Sequence, residues 1–222
     1  MIISIDEMKA RFGFIEKRHR IGSFELRMAQ VDRVDEIIYG IYPDAVALHG
    51  DAPVWMITWP AAFGLAEYLL HSMDPAGLRV LELGCGTAAP GIAMAVKGAD
   101  VTCTDYDYNA LALAEYNAGL NGCRSVDFRF LDWYRPDMEG PYDLIIGSDV
   151  VYFEKSFRPL LDLLKGLTCT GGRIILSDQE RPQMKVFLEL CSREGITWRE
   201  YRQMVHLPDL SRAVRIITLE RS

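Results

Sequence analysis

The sequence contains no run of about 18 apolar residues, which is the length that a transmembrane helix needs. Its first residues include Asp6 and Glu7 and form no long apolar stretch, so a secretory signal peptide is not expected. The five cysteines show no C-x-x-C spacing and the four histidines no H-x-x-x-H pair, so neither a zinc site nor a disulfide framework is supported. These absences predict a cytoplasmic protein that binds no metal and no membrane.

An excess of basic residues is also missing. The chain has 31 acidic against 24 basic residues, a formal net charge of −7. A protein that grips phosphate backbones over its surface needs the opposite sign of charge, so a nucleic-acid partner is not expected. The chain is 222 residues long and half apolar, which favours one domain with a substantial core.

Strand-like and helix-like segments alternate from Arg79 onward, and several of the strands are wholly apolar. This pattern indicates an α/β fold with a mostly parallel sheet that is covered by helices on both faces. The last two strand-like segments flank "HLPDLSR" with no helix between them, so they are predicted to form a C-terminal antiparallel hairpin.

The N-terminal region is harder to interpret. Phe24, Leu26 and Met28 alternate with other residues as in a half-exposed strand. The basic cluster at residues 16–20 is predicted to be a solvated turn. Residues 1–53 are therefore expected to be an extension with a short β element, packed on the core of a single domain that spans residues 1–222.

A glycine turn lies between a predicted strand and a predicted helix, in "VLELGCGTAAPG". Gly84 and Gly86 would let the backbone approach a ligand closely, and Asp105 ends the next strand 21 positions after Gly84, where nucleotide-binding folds place an acid on ribose hydroxyls. A dinucleotide site would want a third glycine where Ala89 stands, and Glu82 would repel its phosphates. S-adenosylmethionine is cationic and carries no phosphate, so the charges favour it over NAD.

A second acid follows the next strand, in "FLDWY". Asp132 could accept a hydrogen bond from an adenine amino group, with Trp133 as an apolar wall. A turn-forming Asp132 and a core Trp133 explain the same residues. Acids at several strand ends favour the binding role, because ligands of open α/β sheets bind at that edge.

The segments "VWMITWPAAFGLAEYLL", "VLELGCGTAAPGIAMA", "VTCTDYD", "LDWY" and "SDVVYFE" resemble the seven-β-strand methyltransferases, and within them methyltransferase family 16, many of whose members methylate protein lysines. The resemblance covers about residues 54–178 motif by motif. It implies a Rossmann-like seven-stranded sheet, S-adenosyl-L-methionine as cofactor and a protein substrate.

The resemblance also assigns roles to individual residues. The family's acid-x-x-aromatic motif matches Asp149 and Tyr152, which are expected to be catalytic. The residues expected to bind the cofactor are Trp59, Glu82, Gly84, Gly86, Asp105, Tyr106, Asp132, Trp133 and Ser148. Ala88 departs from the family pattern, which has a third glycine there, and this departure leaves cofactor affinity open.

Asp149 suits an amine acceptor. A lysine amine must lose a proton before it can attack a methyl group, and a carboxylate can attract and orient it, while a desolvated, cation-rich site lowers the pKa of the amine. Val150 and Val151 replace the proline pair found where planar amides or base amines are methylated, so an sp³ amine is preferred. A small-molecule acceptor, a non-catalytic cofactor-binding module and a purely structural, salt-bridged Asp149 remain alternatives.

Overall fold

The computed structural model describes residues 4–21, 23–32, 54–207 and 210–221. Its N-terminal part consists of helix α1 (Ile5–Phe12) and two strands, β1 (Phe14–Ile21) and β2 (Phe24–Val31), which pair antiparallel. The predicted strand through Phe24, Leu26 and Met28 is therefore present. The predicted turn at residues 16–20 is wrong, because these residues lie within β1. Residues 16–20 pair with β2, and this pairing keeps their backbone extended, although most of their side chains are exposed.

Seven further strands form one sheet: β3 (Arg79–Leu83), β4 (Asp100–Asp105), β5 (Asp127–Phe130), β6 (Tyr142–Ser148), β7 (Thr168–Asp178), β8 (Ile196–Leu207) and β9 (Leu210–Arg221). The strand order is β5-β4-β3-β6-β7-β9-β8. The first five are parallel, and β9 pairs antiparallel with both β7 and β8. This confirms the Rossmann-like, mostly parallel seven-stranded sheet with a C-terminal antiparallel hairpin.

Within the described residues, five helices accompany the sheet: α2 (Pro60–Ser72), α3 (Ala89–Val96), α4 (Tyr108–Leu120), α5 (Phe157–Leu167) and α6 (Pro182–Arg193). Proline stands in the first turn of α2, α3 and α6, where its missing N–H costs no hydrogen bond. Asp107 caps α4 by accepting a hydrogen bond from the Asn109 N–H at 2.8 Å. In the part of the chain that is described, no helix is long and apolar enough to cross a membrane.

The central parallel strands bury side chains on both faces. In β3, Val80 packs in the cluster that contains α2 and α3, whereas Leu81 and Leu83 pack in the cluster that contains α5 and α6. The same alternation recurs in β6, where Ile146 and Ile145 belong to opposite clusters. The central part of the sheet is therefore covered by helices on both faces.

The N-terminal hairpin packs on the first of these helical layers. The buried Asn117 side chain on α4 accepts a hydrogen bond from the Ala29 N–H at 2.7 Å and donates to the Ala29 carbonyl at 3.1 Å. Leu26 and Met28 are fully buried in the core cluster of α2 and α3. The remainder of the predicted extension, residues 33–53, lies outside the described residues, and the single-domain division of residues 1–222 stays a prediction.

Candidate active site

A cavity of about 490 Å³ lies at the carboxyl ends of the parallel strands. Ligands of open α/β sheets bind at this edge, next to the point where the strand order reverses, which here is between β3 and β6. The structure brings to this cavity all but one of the residues expected from the sequence: Trp59, Gly84, Gly86, Asp105, Tyr106, Asp132, Trp133, Ser148, Asp149 and Tyr152.

The glycine turn after β3 forms the floor of the cavity. Gly84 and Gly86 have φ angles of 58° and 52°, in the left-handed region that glycine adopts without steric cost. A Cβ on Gly84 would approach Val150 to 3.0 Å, and one on Gly86 would approach the Trp55 backbone to 3.6 Å. The turn is therefore a close-packed element whose backbone, free of side chains, faces the cavity.

Asp105 links this turn to the end of β4. Its carboxylate accepts hydrogen bonds from the Gly86 N–H at 2.9 Å and from the Asp107 N–H at 3.1 Å. Burial raises the pKa of Asp105 to about 6, and these N–H groups only partly offset that cost. A carboxylate fixed by two donors, with lone pairs left over, can accept further hydrogen bonds from hydroxyl groups of a ligand.

Glu82 is the exception among the expected site residues, because it does not line the cavity. Its position in β3 directs it toward the helical layer with Val80, opposite to Leu81 and Leu83. There the carboxylate accepts hydrogen bonds from the Gly91 N–H at 2.9 Å and from the Cys103 thiol at 3.4 Å. The expectation that Glu82 contacts the cofactor is therefore not supported by the structure, because strand parity turns the side chain toward α3.

The environment of Glu82 makes a prediction about stability. Burial raises the pKa of Glu82 from 4.5 to about 8, and in the described residues Oε1 has no hydrogen-bond partner. Between these two pH values the folded protein holds a proton on Glu82 that the unfolded chain has released. The free energy of unfolding therefore decreases as the pH rises from about 4.5 through 8.

Glu82→Gln removes the titrating group and should abolish that loss. We expect the variant to be more stable than the parent at pH 8.5 by roughly 1 to 4 kcal/mol, and similar to it at pH 5. Urea denaturation of both proteins at the two pH values measures the difference. An equal stability difference at both pH values would show that Glu82 does not titrate in this range.

Three further residues that were expected to contact the cofactor line the cavity: Trp59, Asp132 and Trp133. Asp132 accepts a hydrogen bond from the Tyr134 N–H at 2.9 Å, as a turn-forming residue would, and its side chain also lines the cavity. Trp59 donates its indole N–H to the Val54 carbonyl at 2.8 Å. Asp132 therefore forms a turn and lines the cavity, and its role in cofactor binding stays a prediction.

Trp55 is a lining residue that the sequence did not single out. Its indole N–H donates to the Asp107 carboxylate at 2.7 Å, which ties the segment before α2 to the helix cap after β4. The segment "VWMITWP" contains both Trp55 and Trp59, which could have drawn attention to Trp55. Its contact with Asp107 was not predictable, because the two residues are 52 positions apart in the chain.

Asp149 directly follows β6 and adopts a left-handed conformation, with φ at 53°. Its two carboxylate oxygens are both engaged. Oδ1 accepts from Arg181 Nε at 2.9 Å and from the Gln179 N–H at 3.4 Å, and Oδ2 accepts from Gln179 Nε2 at 2.8 Å. Arg181 also lines the cavity. Neither partner was expected from the sequence, and the salt-bridged Asp149 considered there is what the structure shows, in a cavity-lining position.

Ala88 lies in the turn with φ at 61°, a conformation that disfavours a β-carbon by roughly 1–2 kcal/mol. Its methyl group is fully buried in the core cluster of α2 and α3, and the residue is not part of the cavity lining. The departure from the glycine pattern thus places strain in the turn and removes no space from the cavity.

Comparison with known proteins agrees with this geometry. A family model described as lysine methyltransferase, methyltransferase 16, matches residues 49–194. Protein N-lysine methyltransferase METTL21A of Danio rerio is 37% identical over 129 residues, which cover 54% of this chain and 59% of that protein. EEF1A lysine methyltransferase 3 of Mus musculus is 36% identical over 130 residues, which cover 56% of each protein.

Among solved structures, magnesium protoporphyrin IX methyltransferase from Synechocystis PCC 6803 with bound SAH superimposes with a TM-score of 0.58 at 17% identity, over 85% of this chain and 97% of that one. At that identity the similarity concerns the fold alone. The chain spans less than two thirds of the length of the two sequence relatives, but the family model matches well over half of the chain. The chain therefore belongs to the lysine methyltransferase family of seven-stranded, Rossmann-like proteins.

Proposed function

We propose that this protein transfers a methyl group from S-adenosyl-L-methionine to the side-chain amine of a lysine in a protein partner. The observation that carries the proposal is the meeting of two motifs in one cavity: the glycine turn with Asp105 at one end, and Asp149 with Tyr152 at the other. The named activities of the sequence relatives support a protein lysine as the acceptor.

The cavity fits the cofactor in its chemistry. The bare backbone of Gly84 and Gly86 leaves room for the methionine portion, and the Asp105 carboxylate can accept hydrogen bonds from the two ribose hydroxyls. Asp132 offers an acceptor for the adenine amino group, beside Trp133. When bound, the cofactor supplies an electrophilic methyl group on a sulfonium. The match to the lysine methyltransferase family supports this assignment.

The pKa of Asp105 gives a test of the cofactor site. A ribose hydroxyl binds better to the carboxylate than to the neutral acid, so affinity should fall as the pH drops through about 6. We expect the Kd of S-adenosylhomocysteine to be constant above pH 7 and roughly tenfold higher at pH 5. Calorimetry at pH 5, 6, 7 and 8 measures this. Asp105→Asn should bind weakly with no pH dependence, and an unchanged pH dependence in that variant would assign it to another group.

Asp149 and Tyr152 supply the acceptor side of the proposed reaction. Oδ1 of Asp149 already accepts from Arg181 Nε and from the Gln179 N–H, whereas Oδ2 accepts from Gln179 Nε2 and keeps a lone pair, so Oδ2 can accept one more hydrogen bond from an amine. That bond would orient the lone pair of a neutral amine toward the methyl group that a bound cofactor would supply. Orientation of this kind accounts for most of the catalysis expected here.

The rim of the cavity favours a protein over a small molecule. Tyr106, Phe130 and Tyr134 line the cavity and are 59%, 42% and 54% exposed. Exposed aromatic side chains around a cavity are typical of sites that bind another protein. We further propose a cytoplasmic location, since all five cysteines are free thiols.

The acceptor class can be tested with radiolabelled S-adenosylmethionine and lysate from the organism that makes the protein. After incubation with the purified enzyme, the acid-precipitable protein and the soluble metabolites are counted separately. We expect the label in one protein band or a few, and none above background with Asp105→Ala. Label confined to metabolites would replace our proposal with the small-molecule alternative.

A further inference from the structure

The loop that carries Arg181, the cation that contacts Asp149, is held in place by partly buried hydrogen bonds. The loop of residues 179–181, which follows β7, carries Gln179 and Arg181 to the two oxygens of Asp149. The fully buried Asp178 anchors this loop, since it accepts hydrogen bonds from the Arg181 N–H at 2.9 Å and from Arg215 at 2.8 and 2.9 Å. Arg215 also donates to the Arg181 carbonyl at 2.9 Å. Arg181 is thus held in place by groups other than Asp149.

The other charged residues around this loop form ion pairs with one another. Glu180 pairs with Arg202 at 2.7 Å, away from the cavity, and Asp178 pairs with Arg215. The remaining charged groups of the cavity lining come from other elements: Asp105 at the end of β4, Asp132 after β5 and Lys155 before α5. Within the described cavity lining, Arg181 is therefore the cation in direct contact with Asp149.

We propose that Arg181 compensates the negative charge of Asp149 and thereby makes the acceptor subsite select a neutral amine over an ammonium ion. This inference rests on the proposed function. A carboxylate alone would bind the ammonium form most tightly, and that form has no lone pair for attack. With the guanidinium beside it, the carboxylate still accepts a hydrogen bond from a neutral amine, while a second cation is repelled. Arg181 is then a positioning and specificity-determining residue.

Sinefungin tests this without knowledge of the acceptor protein, because it carries an amine where the cofactor carries its sulfonium methyl group. Calorimetry gives the ratio of its Kd to that of S-adenosylhomocysteine for each protein at pH 7.5. We expect Arg181→Met to shift the ratio in favour of sinefungin by about tenfold, since a half-exposed cation is partly screened by solvent. Arg181→Lys keeps the charge and should retain the ratio of the parent.

Two further variants separate this role from a structural one. Arg202→Met removes an arginine that contacts the same loop outside the cavity, and it should leave the ratio within about twofold of the parent. The gain in Arg181→Met should vanish when Asp149→Asn is added, because the ammonium then has no anion to bind. In the parent, the affinity for sinefungin relative to that for S-adenosylhomocysteine should rise with pH, because a larger fraction of the sinefungin amine is then neutral.

The outcomes distinguish the inference from the function on which it rests. If the parent binds both ligands and Arg181→Met leaves their ratio unchanged, the selection of neutral amines by Arg181 is overturned and the methyltransferase assignment stands. If the parent binds neither ligand, the cofactor assignment fails and the inference fails with it. A shifted ratio that persists in the double variant would overturn the role of Asp149 in the selection.

Discussion

Asp105→Ala should weaken the binding of S-adenosylhomocysteine at least 100-fold while leaving the protein folded. The change removes the acceptor that the ribose hydroxyls would use, and hydrogen bonds to a charged group contribute about 1.5–3 kcal/mol each. Two such bonds correspond to a factor of about 100 or more in Kd. The Gly86 N–H also loses its partner, so the glycine turn becomes less ordered.

Calorimetry on the purified variant measures this loss, and the thermal midpoint reports the fold. Asp100→Ala is a matched control, because Asp100 begins the same strand at its opposite end and is exposed. It should bind S-adenosylhomocysteine as the parent does. Equal affinity of Asp105→Ala and the parent would remove the ribose role of Asp105, and with it the placement of the cofactor in this cavity.

Asp149→Asn should separate binding from chemistry. Asparagine tolerates the left-handed backbone that residue 149 adopts, whereas alanine would be strained there, so the asparagine variant tests the charge with the least disturbance. We expect the Kd of S-adenosylhomocysteine to stay within about twofold, and methyl transfer to fall roughly 100-fold or more, because the amine loses the charged acceptor that orients it.

Turnover is measured on the protein that the labelling experiment identifies. Asp162→Asn is the control for charge, since Asp162 forms an exposed ion pair on α5. That variant should turn over at the rate of the parent. If Asp149→Asn also retained full turnover, Asp149 would be a structural partner of Arg181 with no part in the reaction.

The sequence predicted the features of the fold that come from local patterns. Apolar runs ending in glycine or acid indicated the parallel strands, and the acids at strand ends indicated the edge where the cavity lies. The glycine turn and Asp105 were predictable because one helix and one strand separate them in the chain. Asp149 and Tyr152 followed from the family resemblance, and the structure places both at the cavity.

Three features that were not predicted from the sequence have different causes. The direction of Glu82 could have been inferred from strand parity, because Leu81 and Leu83 are apolar neighbours that must share the opposite face. The pairing of Asp149 with Arg181 could not, because it joins the ends of two adjacent strands through a loop whose conformation depends on the partly buried Arg215. Strand β1 was missed because its side chains are mostly charged, and its register comes from pairing with β2.

The central claim is that a lysine amine receives the methyl group, and the most direct measurement is the mass-spectrometric location of that group on the labelled protein. The protein is methylated by the parent enzyme with deuterated S-adenosylmethionine, digested and fragmented, with Asp149→Asn as the parallel sample. Our account predicts a CD₃ group on the Nζ atom of a lysine in the parent sample and its near absence with Asp149→Asn. A CD₃ group on an amide, a guanidinium or a carboxylate, or an unchanged lysine signal with Asp149→Asn, would contradict it.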